Sequence, residues 1–180
     1  MSKAVLISIR PKWCELIASG QKTVEVRKTA PKIETPFKCY IYCTKDPENK
    51  GSETHFFESD EGTFWSAGKT FAAFLSGTVI GEFVCDKIYG ISPDEKGWGE
   101  EYGGSEHDCL SDSEMLEYLG DGPQGGFGWH ISNLVIYDEP KKLSDFRLYN
   151  TSAVIEHGLP MPTHEIRRPP QSWCYVKELT

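Results

Sequence analysis

The sequence predicts an α+β fold, in which the strands of a β-sheet are interrupted by two or three short helices. Several segments alternate apolar and polar residues at the two-residue period of a strand. Two other segments combine helical periodicity with residues that start and stop helices. The 180 residues contain no Pro/Ser-rich linker and no internal repeat. We therefore expect a single domain over residues 1–180, built around one core.

The first helix is predicted over residues 11–19. Pro11 suits the first helical position, where the N–H that proline lacks would have no partner within the helix. Trp13 and Ile17 are four residues apart and share an apolar face. Gly20 suits the left-handed conformation that commonly ends a helix.

A second helix is predicted over residues 111–119. Ser111 and Glu114 have the spacing of a capping box, in which each side chain binds the backbone N–H of the other. Gly120 is the expected stop. The apolar side of this helix is formed by Met115, Leu116 and Leu119.

Six segments are predicted to be strands, and two of them, residues 22–27 and 37–44, show the period-two alternation clearly. These segments are residues 5–8, 22–27, 37–44, 78–88, 127–137 and 172–177. Gly81 interrupts one of them and indicates a bulge or bend. Residues 46–62 and 93–105 are predicted loops, and residues 63–75 fit either an aromatic strand or a short helix.

Residues 20–27 hold the most informative motif of the chain, since two cations and a carboxylate occur where a helix gives way to a strand. Glu25 and Arg27 alternate with two valines, which predicts a half-buried strand with these two polar side chains on a surface or groove. Lys22 has the opposite parity if the strand has already begun, whereas from a turn its long stem can swing to the same side. An exposed ion pair between Glu25 and Arg27 is the plainer alternative, and its value is about 0–1 kcal/mol.

The spacing G-x-K-x-x-E-x-R of residues 20–27 resembles the signature of ASCH domains (activating signal cointegrator homology), which are PUA-like β-barrels associated with RNA. Residues 6–13, 128–131, 137–140 and 170–176 are also similar to bacterial and prophage members, so the resemblance spans nearly the whole chain. It implies a PUA-like barrel flanked by the short helices. Members of this family are RNA-binding modules, ribonucleases or amidohydrolases that act on an acetylated cytidine.

The resemblance implies a binding module for single-stranded RNA or a modified nucleotide. Lys22 and Arg27 are expected to hold phosphate or carbonyl oxygens, and Glu25 to accept a hydrogen bond from the exocyclic amine of a cytosine-like base. Arg10 either points into the same groove or serves as a helix cap or surface residue. Trp98 lies in a glycine-rich loop and is the tryptophan most expected to be exposed, as a lid residue or a loop anchor. Three further stacking candidates, which more often belong to a core, are Trp13, Trp129 and Trp173.

A hydrolase acting on RNA or on an acylated nucleoside is the leading alternative, with Lys22 and Glu25 as its catalytic residues. Amidohydrolase relatives use a Lys-x-x-Thr pair in which the lysine activates a threonine, but here Glu25 stands in the threonine position. Thr23 lies two residues earlier and cannot simply replace it. A carboxylate can still act as a general base on water or on a ribose hydroxyl.

Charge is unevenly distributed along the chain, which carries a net −8. Residues 1–50 carry +5, residues 51–121 carry −13, and residues 122–180 are neutral. The signature is thus in a basic segment, which permits a local nucleic-acid site with a small footprint. The acidic middle of the chain is expected to include a loop insertion around residues 93–121. It also suggests a second alternative, a protein-interaction module of prophage origin.

The six cysteines show no C-x-x-C pair, so they are expected to be free thiols in a reducing compartment. Residues 107–109, His-Asp-Cys, are the one cluster with metal-ligand chemistry, and an exposed acidic loop explains them equally well. We expect neither a metal nor a cofactor. The apolar runs are too short to span a bilayer or to form the core of a signal peptide, which predicts a cytoplasmic protein.

Overall fold

The computed structural model of the protein describes residues 2–45, 75–94, 97–98, 104–120, 125–149 and 165–179. The predictions for residues 46–62 and 63–74 lie outside these described ranges. The described part is α+β, as predicted, and its strands form three separate sheets.

The largest sheet has five strands in the order β10-β1-β3-β4-β9. Their ranges are β1 Lys3–Ile9, β3 Phe37–Cys43, β4 Val79–Cys85, β9 Ser132–Lys141 and β10 Trp173–Lys177. β1 and β3 are parallel, and the other neighbours are antiparallel. β1 is buried on both faces because side chains of alternating parity enter two different apolar clusters.

A second sheet has the order β2-β8-β5, formed by β2 Val24–Arg27, β8 Gly126–His130 and β5 Ile88–Ile91. Pro93–Asp94 (β6) and Gly97–Trp98 (β7) form a small third sheet. The described strands are therefore not closed into one continuous barrel, although the arrangement is consistent with a PUA-like fold. The main core includes residues of the five-stranded sheet together with Trp129 of β8 and the inner face of the first helix.

Two of the helices occur where local signals predicted them, and one short helix was not predicted. Helix α1 is Pro11–Ala18, and Gly20 beyond it has a φ of +76°. Helix α2 is a single turn, Ser105–Asp108, and helix α3 is Asp112–Leu119 with the predicted capping box in place. Leu116 was wrongly assigned to the apolar side of α3, since it is 47% exposed. No helix among the described residues is long and apolar enough to cross a membrane.

Two predicted strands are each divided between the two larger sheets. Residues 78–88 contain all of β4 and the start of β5, and residues 127–137 contain parts of β8 and β9. Neither junction, at residues 86–87 or at residue 131, contains Gly or Pro, so the sequence gives no sign that the chain leaves one sheet for another. The bulge at Gly81 is confirmed: the β4 pairing shifts register there, and a Cβ at Gly81 would lie 2.4 Å from the carbonyl oxygen of Val135.

The six cysteines, all within the described ranges, are thiols and form no disulfides, and four of them are fully buried in the core. Cys39 and Cys43, on β3, pack there as small apolar side chains, as predicted.

Candidate functional site

Lys22, Glu25 and Arg27 form a buried ion-pair cluster at the start of the three-stranded sheet. Glu25 Oε1 lies 2.9 Å from Arg27 Nη2, and Glu25 Oε2 lies 3.5 Å from Lys22 Nζ. The three side chains are only 1%, 7% and 9% exposed in chain order. Arg27 Nη2 also donates a hydrogen bond of 2.7 Å to the carbonyl oxygen of Ser8, which joins β2 to β1. One carboxylate therefore balances two cations in an environment where unpaired charge is costly.

The burial of β2 differs from the sequence prediction. The strand begins at Val24, so Lys22 lies in the preceding turn and its side chain reaches the face of Glu25 and Arg27. All four strand residues are buried, because the opposite face, with Val24 and Val26, packs against an apolar cluster that includes Met115 of α3. The prediction of a half-buried strand was wrong, and so was the alternative of an exposed ion pair.

The ammonium group of Lys22 is held by a turn 86 residues later in the chain. Lys22 Nζ donates a hydrogen bond to the carbonyl oxygen of Asp108, and it lies 5.2 Å from the centre of the Trp13 ring. The neighbouring Thr23 N–H donates to the carbonyl oxygen of His107 at 2.8 Å, and its hydroxyl lies 2.9 Å from His107 Nδ1. These contacts fix the conformation of the signature turn.

The His-Asp-Cys sequence is thus a structural support for that turn. The Asp108 side chain is buried, and its carboxylate accepts a hydrogen bond from Leu110 N–H at 2.8 Å. Cys109 adopts a φ of 59°, and its thiol lies 3.6 Å from the carbonyl oxygen of Gln21. In the described ranges no group of three or more histidine, cysteine or acidic side chains is placed to hold a metal ion. The sequence drew attention to these residues, but it did not reveal their contact with Lys22.

A cavity of about 1000 Å³ opens beside the ion-pair cluster. Its walls come from the start of α1, the end of β2, helix α3 and the segment 169–172. The charged residues that line it are the cations Arg10, Lys22, Arg27 and Lys28, and the anions Glu25, Glu114 and Glu117. The cavity is therefore polar and nearly balanced in charge.

Two contacts join α3 to α1 and to the residue that follows β2. Lys12 Nζ lies 3.1 Å from Glu114 Oε1, and Lys28 Nζ lies 5.5 Å from the centre of the Tyr118 ring. The hydrogen bond from the backbone N–H of Ser111, together with Lys12, lowers the pKa of Glu114 to about 2.

The two remaining candidates from the sequence, Arg10 and Trp98, differ in whether they line the cavity. Arg10 occupies the N-cap position of α1 and lines the cavity, and its side chain is exposed and caps none of the described backbone amides. Trp98 packs against the apolar cluster behind β2 and is not among the described residues that line the cavity. Arg10 therefore lines the same cavity as the ion-pair cluster, whereas Trp98 does not line it among the described residues.

Comparison with known proteins identifies the fold. No protein-family model and no curated protein matches the sequence. Among solved structures, the ASCH protein of Zymomonas mobilis superposes with a TM-score of 0.58 at 17% identity, over 97% of this chain and 88% of that one. A serine-to-alanine variant of it gives 0.58 at 18% identity over 97% and 89%, and a tyrosine-to-phenylalanine variant gives 0.58 at 17% over 98% and 92%. The chain therefore has the ASCH fold.

Proposed function

We propose that the protein binds single-stranded RNA or a modified nucleotide in the cavity around Lys22, Glu25 and Arg27. The observation that carries this proposal is a buried carboxylate, flanked by two cations, in the wall of a cavity large enough for a nucleotide. Glu25 Oε2 accepts no hydrogen bond from the described residues. Unsatisfied buried acceptors are rare in folded proteins, so this oxygen suits a donor group of a ligand.

Each side chain suits a different part of a nucleotide. Glu25 Oε2 suits an exocyclic amine of a base, since a carboxylate only accepts hydrogen bonds. Lys22 and Arg27 suit carbonyl oxygens beside that amine. Arg10 and Lys28 line the cavity outside the ion-pair cluster and suit a phosphate.

The two alternatives fit this cavity less well. For a hydrolase, Glu25 replaces the threonine nucleophile, and the Thr23 hydroxyl is directed at His107 and does not line the cavity among the described residues. For a protein-interaction module, a contiguous apolar patch is expected. The large exposed apolar side chains of the described ranges, Leu116, Val135 and Leu148, belong to separate elements.

The decisive test uses Arg10, because its side chain is exposed and its removal leaves the buried cluster intact. Arg10→Ala should weaken binding of short single-stranded RNA and of cytidine monophosphate about fivefold, since one net hydrogen bond contributes about 1 kcal/mol. Lys142→Ala is the matched control, because it removes one exposed cation that does not line the cavity. Fluorescence anisotropy for RNA and calorimetry for the nucleotide measure both affinities.

Two outcomes would refute the proposal. The first is a parent protein that binds neither probe at low salt. The second is an equal loss of affinity in Arg10→Ala and Lys142→Ala, which would indicate non-specific attraction to surface charge.

A further inference from the structure

Three buried polar atoms have no hydrogen-bond partner in the described part of the chain: Glu25 Oε2, Arg27 Nε and Trp129 Nε1. Such atoms are uncommon, and each one calls for a physical explanation. Lys22 Nζ is near Glu25 Oε2, but the 3.5 Å contact is an ion pair without a hydrogen bond. Each of the three atoms therefore needs a hydrogen-bond partner that the described residues do not supply.

All three side chains lie on the same face of the β2–β8 pair. Glu25 is the cross-strand partner of Trp129, and Arg27 follows Glu25 by two residues. Directly opposed side chains of antiparallel strands have Cβ atoms about 4.5–5.5 Å apart. The three polar atoms thus belong to immediate neighbours.

The indole N–H of Trp129 lacks a hydrogen-bond partner among the described residues, whereas that of the neighbouring Trp173 has one. The ring of Trp173 lies 5.9 Å from that of Trp129, and its Nε1 donates to Thr29 Oγ1 at 3.1 Å. The Trp129 ring also packs edge-on against Phe37 at 6.0 Å, and the Phe37 ring contains no oxygen or nitrogen acceptor for its N–H. A buried tryptophan normally finds a partner for this donor.

The hydrogen-bonding character of the group matches one water molecule. Arg27 Nε–H and Trp129 Nε1–H are donors, and Glu25 Oε2 is an acceptor. A water molecule can accept from both donors and give one of its hydrogens to the carboxylate. An apolar group would leave all three atoms unsatisfied.

We propose that Trp129, Arg27 and Glu25 hold one ordered water molecule behind the cavity, and that Trp129 is thereby a positioning residue for the Glu25 carboxylate. Trp129 is fully buried and does not line the cavity among the described residues, so it acts on a ligand only through Glu25. Arg27 Nη2 holds Oε1 of the carboxylate, and the water binds Oε2, which keeps a second lone pair for the donor group of a ligand. The effect on ligand binding rests on the proposed function, whereas the water site does not.

The water is tested directly by nuclear magnetic resonance on the free, full-length protein. Nuclear Overhauser cross-peaks are expected between the water and both Trp129 Nε1–H and Arg27 Nε–H. Their sign should be that of a long-lived bound water. Loss of one indole signal in Trp129→Phe assigns the tryptophan. A slowly exchanging Trp129 indole proton without such a cross-peak would overturn the proposal.

The positioning role is tested with two variants that both reduce aromatic packing in the same core. Trp129→Phe removes the donor, and it should abolish the water cross-peak of Arg27 and weaken cytidine monophosphate binding about fivefold. Phe37→Leu keeps the donor and should preserve both. If the two variants lose affinity equally, Trp129 serves packing alone. If the parent shows the water but binds no nucleotide, the proposed function fails and the water site stands.

Should Trp129→Phe fail to fold, the cross-peaks of the parent still decide whether the water is present. Binding would then be compared between the parent and a protein labelled at position 129 alone with β-(3-benzothienyl)alanine, whose ring sulfur replaces the N–H at nearly constant volume. An unchanged affinity in the labelled protein would remove the positioning role.

Discussion

At the residue scale, the stability of the site depends on a single negative charge. Glu25 balances both Lys22 and Arg27, and all three side chains are buried. Glu25→Gln would leave two adjacent buried cations with no counter-charge. We expect the free energy of unfolding to fall by about 3–5 kcal/mol, as when one partner is removed from a buried ion pair. Urea denaturation followed by circular dichroism measures this change.

Lys22→Met is the matched comparison for Glu25→Gln. Glu25 keeps its 2.9 Å contact with Arg27, and methionine retains much of the apolar stem near Trp13. The loss of stability should therefore be clearly smaller than in Glu25→Gln. If Glu25→Gln and the parent had the same free energy of unfolding, the Glu25 carboxylate would not be needed to neutralise Lys22 and Arg27. Binding defects of Glu25 variants must in any case be separated from unfolding.

The site was only partly predictable at this scale. The motif brought together Lys22, Glu25 and Arg27, because residues close in sequence are also close in space. It did not reveal whether Lys22 reaches the carboxylate, since that depends on where the strand begins. The support from Asp108 could not be predicted either, because a contact across 86 residues arises from tertiary packing.

At the scale of elements, α3 closes one side of the cavity, and its capping box links its stability to pH. The pKa of Glu114 is lowered from 4.5 to about 2 in the folded state, first by the Ser111 backbone N–H and then by Lys12. A carboxyl group with a lowered pKa stabilises the fold fully above its unfolded pKa and loses this effect as the pH falls. The contribution should therefore disappear between about pH 4.5 and pH 2.

As the pH falls from about 4.5 to about 2, the melting temperature of Glu114→Gln should decrease less than that of the parent. Glu117→Gln is the control, because it removes an exposed glutamate of the same helix and leaves the capping box in place. Its pH dependence should follow that of the parent. Identical curves for Glu114→Gln and the parent would show that the capping box does not control acid stability.

The success of prediction also varied among elements. Helices α1 and α3 were predicted nearly to their ends, because Pro11, Gly20 and the capping box are local signals. Residues 78–88 and 127–137 were each predicted as one continuous strand, whereas the chain passes between two sheets within them. Alternation of apolar and polar residues indicates that one face of a strand is buried, but it does not identify the neighbouring strand.

At the scale of the whole molecule, the fold places opposite charges around one cavity. The net charge of −8 opposes any polyanion, and α3 brings Glu114 and Glu117 from the acidic middle region to the cavity wall. The cations of that wall outside the ion-pair cluster are Arg10 and Lys28. The electrostatic contribution to RNA binding should therefore come from about two phosphates.

The salt dependence of binding tests this balance. Each phosphate contact with a single strand contributes about 0.7 to the log–log slope, so two contacts predict a slope of about −1.4 between about 50 and 200 mM salt. Lengthening the strand beyond a few nucleotides should add little affinity, because the net charge of −8 opposes additional phosphates. The double variant Glu114→Gln/Glu117→Gln should bind longer strands more tightly, since it removes two negative charges from the wall. A parent slope steeper than about −3, or affinity that rises steadily with strand length, would place the RNA on a basic surface outside this cavity.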